Sequence, residues 1–140
     1  MEKKESLAKF LECELEDLDE AGDFCGLEAY SNGSEEYAIG TDEEADEACQ
    51  EYIKNSAWAF NSDFILASCG LDFSGEESLK QMQENSSEGA NDFILSLIEK
   101  TCGLEEFTND AIAADGRGHF LSGYDGTEET EGEFFIYRTN

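Results

Sequence analysis

The sequence is poor in basic residues. Eight Lys and Arg stand against 35 Asp and Glu, which gives a formal net charge of −27. Proteins that bind DNA or RNA directly need a basic footprint for the phosphate backbone. Because a field this negative repels phosphate, the composition argues against direct nucleic-acid binding. The longest stretch without a base runs from Phe10 to Ile53 and holds 16 acids.

The sequence also lacks export and membrane signals. The first ten residues, MEKKESLAKF, contain no apolar signal core, and no apolar run approaches the ~20 residues that a membrane span needs. The five cysteines are an odd number without a C-x-x-C pair, which argues against a disulfide framework or a thiolate zinc site. We therefore expect a reduced, cytoplasmic protein that has no membrane partner.

Histidine is scarce, which restricts catalysis. His119 is the only one, so a conventional acid–base catalyst would be this residue or a perturbed carboxylate. His119, Ser122 and Asp125 share one glycine-rich segment without a G-x-S-x-G turn, so we reject a catalytic triad. The glycines of residues 115–126 also lack the phosphate-binding loop pattern, and we expect tight turns there, with Arg117 tied to a carboxylate.

No acidic loop matches the calcium-binding pattern D-x-[DN]-x-[DN]-G-x5-E. We therefore predict no catalytic residue, no cofactor and no metal site, and hence a protein that is not an enzyme. A small enzyme working through residues 115–126 stays open as an alternative, and replacing His119 would then abolish its activity.

The chain contains enough apolar residues to form a hydrophobic core. Hydrophobic residues make up 39% and aromatic residues 11% of it, unlike the composition of acidic disordered chains. A length of 140 residues fits one domain. We predict a single α+β domain over residues 1–140 that is mainly helical and carries a small antiparallel sheet.

Local patterns place the elements of this fold. Apolar spacing predicts a helix over 4–18. Asn32-Gly33 predicts a type I′ turn in a hairpin at 27–39. Thr41 and Glu44 form a capping box that opens a long helix at 42–60. Further helices are expected at 62–69, 75–85, 90–102 and 104–114, the second of them with Ser74 as N-cap and Glu77 at the capping-box position. Residues 133–138 predict a strand beside the hairpin.

The acids are densest at the start of the long helix. Six carboxylates fall between residues 42 and 51, or roughly one per 2.5 Å of helix, and duplex DNA carries about one per 1.7 Å. A rigid acidic helix could therefore replace phosphates in a Lys- and Arg-lined groove. The predicted partner-binding residues are Glu12, Glu16, Asp19, Glu20, Glu35, Glu36, Asp42, Glu43, Glu44, Asp46, Glu47 and Glu51.

Two simpler interpretations of the charge stay open. An acidic surface can serve solubility alone, although like charges four residues apart destabilise a helix. Adaptation to high salt also produces acidic surfaces, but Glu outnumbers Asp by 24 to 11 here, and we expect an Asp-rich balance in a salt-adapted chain.

Four short segments resemble small acidic proteins of bacteriophage and prophage genomes. These segments are TDEEAD at 41–46, WAFN at 58–61, DGRGHFL at 115–121 and IYRTN at 136–140. The resemblance covers most of the chain from about residue 35 onward and carries no assigned activity or site residue. It implies a viral origin and a location in the cytoplasm of a bacterial host.

Charge and origin together favour one functional hypothesis. The chain is predicted to be a DNA mimic that occupies the basic groove of a host nucleic-acid-binding protein, such as a restriction, CRISPR or repair enzyme. The alternative is a non-catalytic accessory of phage assembly whose charge serves solubility only. Self-association as a homodimer stays open.

Overall fold

The computed structural model describes residues 2–140, apart from the side chain of residue 73. Contacts divide the chain into two compact units, of which the first runs to Tyr52 and resumes with Asp115–Asn140, and the second is Ile53–Ala114. The predicted α+β class is confirmed, whereas the single domain over residues 1–140 stays a prediction. Among residues 2–140, none of the helices has the length and apolar character that a bilayer crossing requires.

The first unit is built on a five-stranded antiparallel sheet with the order β1-β2-β3-β5-β4. Its strands are β1 (Asp19–Phe24), β2 (Leu27–Asn32), β3 (Glu35–Gly40), β4 (Glu129–Glu131) and β5 (Phe134–Arg138). β5 pairs with β3, with Gly40 opposite Phe135 and Tyr37 opposite Arg138. The predicted placement of the C-terminal strand beside the hairpin is therefore confirmed.

The turn of the predicted hairpin lies one residue further along the chain than expected. Asn32 pairs with Glu35, so Gly33 and Ser34 form the two-residue loop. Of these two, Gly33 alone has a positive φ, of 65°. A single positive φ at the first loop position is what a type II′ turn requires, so the prediction of a type I′ turn was wrong.

Both edge strands were absent from the sequence prediction. β1 and β4 are acidic and lack the alternation of apolar and polar residues that indicates a half-buried strand. β1 joins β2 through Cys25 and Gly26, whose φ values of 53° and 92° are both positive. Two consecutive positive φ values are the requirement of a type I′ turn. The type I′ geometry therefore belongs to this hairpin.

Helix α1 (Lys3–Leu11) covers one face of the sheet. It ends because Glu12 takes a left-handed φ of 56° while its N–H donates to the carbonyl of Lys9. The predicted helix over 4–18 was therefore wrong beyond Leu11, and Leu15–Asp17 forms a short 3-10 turn. The core on this face consists of Leu7, Ala8, Leu18, Tyr30, Tyr37, Ile39, Phe134 and Ile136.

Helix α2 (Asp42–Ser56) begins with the predicted capping box. The Glu44 N–H donates to Thr41 Oγ1 at 3.3 Å, and the Thr41 N–H donates to Glu44 Oε1 at 2.9 Å. The helix ends before the predicted residue 60, and a 3-10 turn follows at Ala57–Ala59. Part of the expected glycine-rich loop is also helical, as α7 (Arg117–Leu121).

The second unit is helical. It contains α3 (Ser62–Ser68), α4 (Glu76–Ser86), α5 (Asn91–Lys100) and most of α6 (Leu104–Asp115). Phe107 lies at its centre, with ring centroids 5.3 Å from Phe60 and 5.5 Å from Phe64. α3 ends in a glycine cap, because Gly70 has a positive φ and the Leu71 N–H donates to Leu66 O at 2.9 Å.

The predicted start of α4 was wrong. Its N-cap is Gly75, which has no side chain to accept a hydrogen bond. The Ser74 N–H instead donates to the carboxylate of Asp72 at 2.7 Å, which makes Ser74 part of the preceding turn and leaves Glu77 without a capping-box partner.

Candidate acidic interface

The negative charge is concentrated in the first unit. This unit has 24 acids and five bases, a net charge of −19, whereas the second unit has 11 acids and three bases, a net charge of −8. Every one of the twelve predicted partner-binding residues belongs to the first unit. The candidate interface is therefore a property of the sheet-containing unit.

Helix α2 presents three glutamates on one exposed face. Its inner face is apolar because Ala45, Ala48 and Cys49 are buried. Glu43, Glu47 and Glu51 follow one another at four-residue intervals and are exposed, and this spacing places them on a common face. Successive carboxylates are about 6 Å apart along the helix axis, since each residue adds about 1.5 Å.

The other three acids at the start of α2 have partners inside the unit. Asp42 and Asp46 contact Arg117 Nη1 at 2.8 Å and 3.0 Å. Glu44 contacts Lys3 Nζ at 3.2 Å. A hydrogen bond from the Thr41 backbone N–H lowers the pKa of Glu44, and Lys3 lowers it further against the effect of burial. Three of the six carboxylates counted between residues 42 and 51 therefore form ion pairs with Lys3 or Arg117.

Arg117 is the shared partner of Asp42 and Asp46. Its side chain is 10% exposed, whereas those of Asp42 and Asp46 are 70% and 56% exposed. Its guanidinium also contacts Glu128 at 2.8 Å and lies 4.6 Å from the centroid of the Phe135 ring. Burial lowers the pKa of Arg117, but its hydrogen bonds with Glu128 and Asp42 outweigh burial and raise it above the ordinary value. The expected carboxylate partner of Arg117 is confirmed.

The hairpin tip at Cys25 connects α2 with the acidic edge strand. Burial raises the pKa of the Cys25 thiol, and the carboxylates of Glu51 and Asp23 raise it further. An influence of both carboxylates on one thiol requires that both lie close to it. Glu51 on the exposed face of α2 and Asp23 at the end of β1 therefore both lie near the tip.

The register of β1 shows which of its acids share a face. Glu20 is opposite Tyr30 and Asp23 is opposite Glu28. Tyr30 and Glu28 are two residues apart and their side chains are hydrogen-bonded at 3.1 Å, so Glu20 and Asp23 lie on the same side of the sheet. Because Tyr30 belongs to the core under α1, this is the side of the sheet that α1 covers. We use the name acidic band for five exposed acids of the first unit, which are the α2 row and two acids of β1: Glu20, Asp23, Glu43, Glu47 and Glu51.

Asp23 is a member of the acidic band that the sequence analysis did not select. It belongs to a strand that has no apolar alternation, so its position was not recognised. The available signal was Cys25-Gly26, because a glycine-containing pair between two strands is typical of a hairpin turn. Asp23 also accepts the Gly26 N–H at 2.9 Å, which stabilises this turn.

The remaining predicted residues lie outside the acidic band. Asp19 and Glu36 are both opposite Ser31, which places them together on the other face of the sheet. Glu35 contacts Arg138 at 3.2 Å. Glu12 and Glu16 are exposed in the connection between α1 and β1. Of the twelve predicted residues, three thus lie in the exposed α2 row, two lie on β1 and four contact Lys3, Arg117 or Arg138, whereas Glu12, Glu16 and Glu36 belong to none of these groups.

The segment at 115–126 does not assemble a catalytic triad. The Ser122 hydroxyl lies 2.9 Å from both Asp125 Oδ1 and the Arg138 carbonyl. His119 is exposed, with its ring against the edge of Phe120 at a centroid distance of 5.0 Å. Within residues 2–140 no hydrogen bond joins His119 to Ser122, and no group of three or more His, Cys, Asp or Glu is placed to hold a metal ion.

Comparison with known proteins gives no functional assignment. Comparisons of this chain with protein-family models, with curated proteins and with solved structures each return no match.

Proposed function

We propose that this chain is a binding protein that inserts its acidic band into the basic nucleic-acid groove of a host defence or DNA-processing protein. The observation that supports the proposal is the exposed row of Glu43, Glu47 and Glu51 on α2, whose last member lies with Asp23 of β1 near the Cys25 tip. A viral origin and a location in the host cytoplasm belong to the same proposal.

The spacing of the carboxylates sets the geometry of the proposed contact. One row on α2, at about 6 Å per carboxylate, is sparser than one DNA strand, which carries a phosphate about every 3.4 Å of axis. Asp23, which lies with Glu51 near Cys25, and the exposed parts of Asp42 and Asp46 supply additional negative charge beside that row. The proposed mimic is therefore a two-element surface and not a single helix.

Distributed Coulomb attraction makes the proposed association fast and sensitive to salt. The binding partner would be a protein with Lys and Arg along a groove, and the nucleic acid would be displaced because both ligands need the same basic side chains. No catalytic step is required of this chain.

A competition experiment tests the proposal. Basic proteins captured on the immobilised chain from a bacterial lysate at low salt are purified and loaded with a fluorescent DNA duplex, and the chain is titrated against each complex. We expect the chain to displace the duplex from at least one of them at a concentration about tenfold lower than polyglutamate of equal total charge, because a fixed surface loses less entropy on binding. Failure to displace the duplex from every captured protein contradicts the proposal.

A second candidate is an accessory protein of phage assembly whose charge serves solubility. The observation that favours it is that both edges of the sheet, β1 and β4, are acidic. Charged edge strands prevent pairing with other sheets, which gives those carboxylates a role that needs no nucleic-acid-binding partner. Under this candidate, neutralising the acidic band leaves partner binding intact.

A further inference from the structure

The second unit contains an open groove of about 450 Å³ between α4 and the segment that leads into α3. This volume is within the range of ligand-binding sites in proteins. The residues that line it include Trp58, Asp63, Glu76, Lys80, Gln83 and Glu84. None of them belongs to the acidic band, so the groove is a feature independent of the surface described above.

Hydrogen bonds hold the two walls of the groove in place. Gln83 Nε2 on α4 donates to the carbonyls of Trp58 and Phe60 at 2.8 Å and 2.6 Å. Asn91 Oδ1 accepts the Trp58 N–H at 3.1 Å, and Asn91 Nδ2 donates to the Lys54 carbonyl at 2.9 Å. These bonds fix the backbone that carries Trp58. The groove is therefore preorganised and not a gap between loose elements.

The groove combines an aromatic ring with an excess of carboxylates. Glu76, Lys80 and Glu84 follow one another at four-residue intervals on α4 and so share one face. Asp63 lies on the opposite wall, where one of its oxygens accepts the Phe64 N–H at 2.9 Å. The ionisable groups of the groove are these three acids and Lys80, so its net charge is −2. Trp58 also lines the groove and is half-buried.

We propose that this groove binds the side chain of an arginine on a basic protein segment. Its charge is complementary to a cation, and its indole offers a surface on which a planar cation stacks. A guanidinium is planar, stacks on aromatic rings and forms paired hydrogen bonds with carboxylates, whereas an ammonium group is a strongly hydrated point charge. The open shape of the groove suits a side chain that projects from a peptide. The site is a specific contact in the second unit and does not depend on the function of the acidic band.

Trp58 makes the site directly observable because it is the only tryptophan of the chain. The intact protein is titrated at 0.15 M salt with a blocked Gly-Arg-Gly-Arg-Gly peptide, and the indole emission is recorded. The same titration is made with the Lys analogue of this peptide and with spermidine, which carry cations without a guanidinium. We expect a saturable change of emission, with the Arg peptide bound about fivefold more tightly than either comparison ligand.

Charge-matched variants separate the groove from general attraction to an acidic protein. E76Q/E84Q should weaken binding of the Arg peptide about tenfold, while E105Q/E106Q, which removes the same charge from exposed positions of α6, should leave it within about twofold. K80Q should tighten binding two- to threefold, roughly, because a repelling cation is removed. Circular dichroism of each variant confirms that the helices persist.

Three results overturn the proposal. The first is the absence of any emission change with the Arg peptide. The second is equal affinity for the Arg peptide, the Lys peptide and spermidine, which indicates unspecific attraction. The third is an equal loss of affinity in E76Q/E84Q and E105Q/E106Q. None of them bears on displacement of duplex DNA by the acidic band, so the two proposals fail separately.

Discussion

Gly118 illustrates how a single residue holds the first unit together. A Cβ at this position would lie 2.5 Å from the Gly126 carbonyl oxygen and 2.9 Å from the Glu128 nitrogen. Both are backbone atoms, so neither can rotate away as a side chain can. The absence of a side chain at Gly118 therefore lets α7 approach the chain before β4 and places the neighbouring Arg117 against Glu128.

We predict that G118A lowers the free energy of unfolding by about 2–3 kcal/mol, the cost typical of an overpacked site. Urea denaturation followed by circular dichroism measures it. G89A is the matched control, because a Cβ there meets only Ser86 Cβ at 3.8 Å, and its effect should stay within about 0.5 kcal/mol. Equal stability of G118A and G89A would show that the approach of α7 is not required.

The sequence predicted only some of these residue contacts. Glycine richness at 115–126 indicated tight turns, and positive φ values at Gly116 and Gly126 confirm them. The role of Gly118 was not predictable, because it depends on a contact with residues 126–128 that no local pattern encodes. The ion pairs of Asp42 and Asp46 could not be predicted for the same reason, since their partner Arg117 follows more than 70 residues later.

At the scale of elements, the sequence prediction was correct where the residues that define an element are neighbours in the chain. The start of α2 was predictable because Thr41 and Glu44 satisfy each other's backbone N–H groups. The extended α1 was predicted wrongly because Leu15 and Leu18 continue the helical spacing, while Leu18 in fact packs against the sheet. β1 was missed because it is specified by its pairing with β2 and not by its composition.

The acidic edge strand gives a prediction at this scale. D19T/E20T replaces two charges of β1 by residues that favour strands, and E105Q/E106Q removes the same charge from a helix. We expect D19T/E20T alone to increase self-association relative to the natural chain, because an uncharged edge pairs with other sheets. Sedimentation velocity measures the change.

If both variants sediment like the natural chain, the charges of β1 are not needed to protect the edge, which weakens the solubility candidate. If both associate equally, total charge and not strand position controls association.

At the scale of the whole molecule, charge and scaffold have to be considered together. A net charge of −27 on 140 residues destabilises the compact state through self-repulsion. The folded core of each unit offsets this repulsion, and a few basic residues, chiefly Lys3 and Arg117, form ion pairs with neighbouring acids. The acids that remain outward on α2 and β1 give the first unit its proposed binding surface.

The composition was sufficient to predict that a charged surface exists, but not its outline. The helical spacing of Glu43, Glu47 and Glu51 was readable from the sequence. The closeness of Glu51 and Asp23 to Cys25 was not, because it arises from the fold around the β1–β2 turn.

The most direct test of the account compares two triple variants in the duplex-displacement experiment. E43Q/E47Q/E51Q removes the α2 row of the acidic band, and E88Q/E99Q/E105Q removes three exposed carboxylates of the second unit that lie outside the groove. We predict that the first variant needs about tenfold more protein to displace the duplex and that the second stays within about twofold of the natural chain. Equal effects of the two variants, or no effect of the first, would contradict the claim that the acidic band is the binding surface.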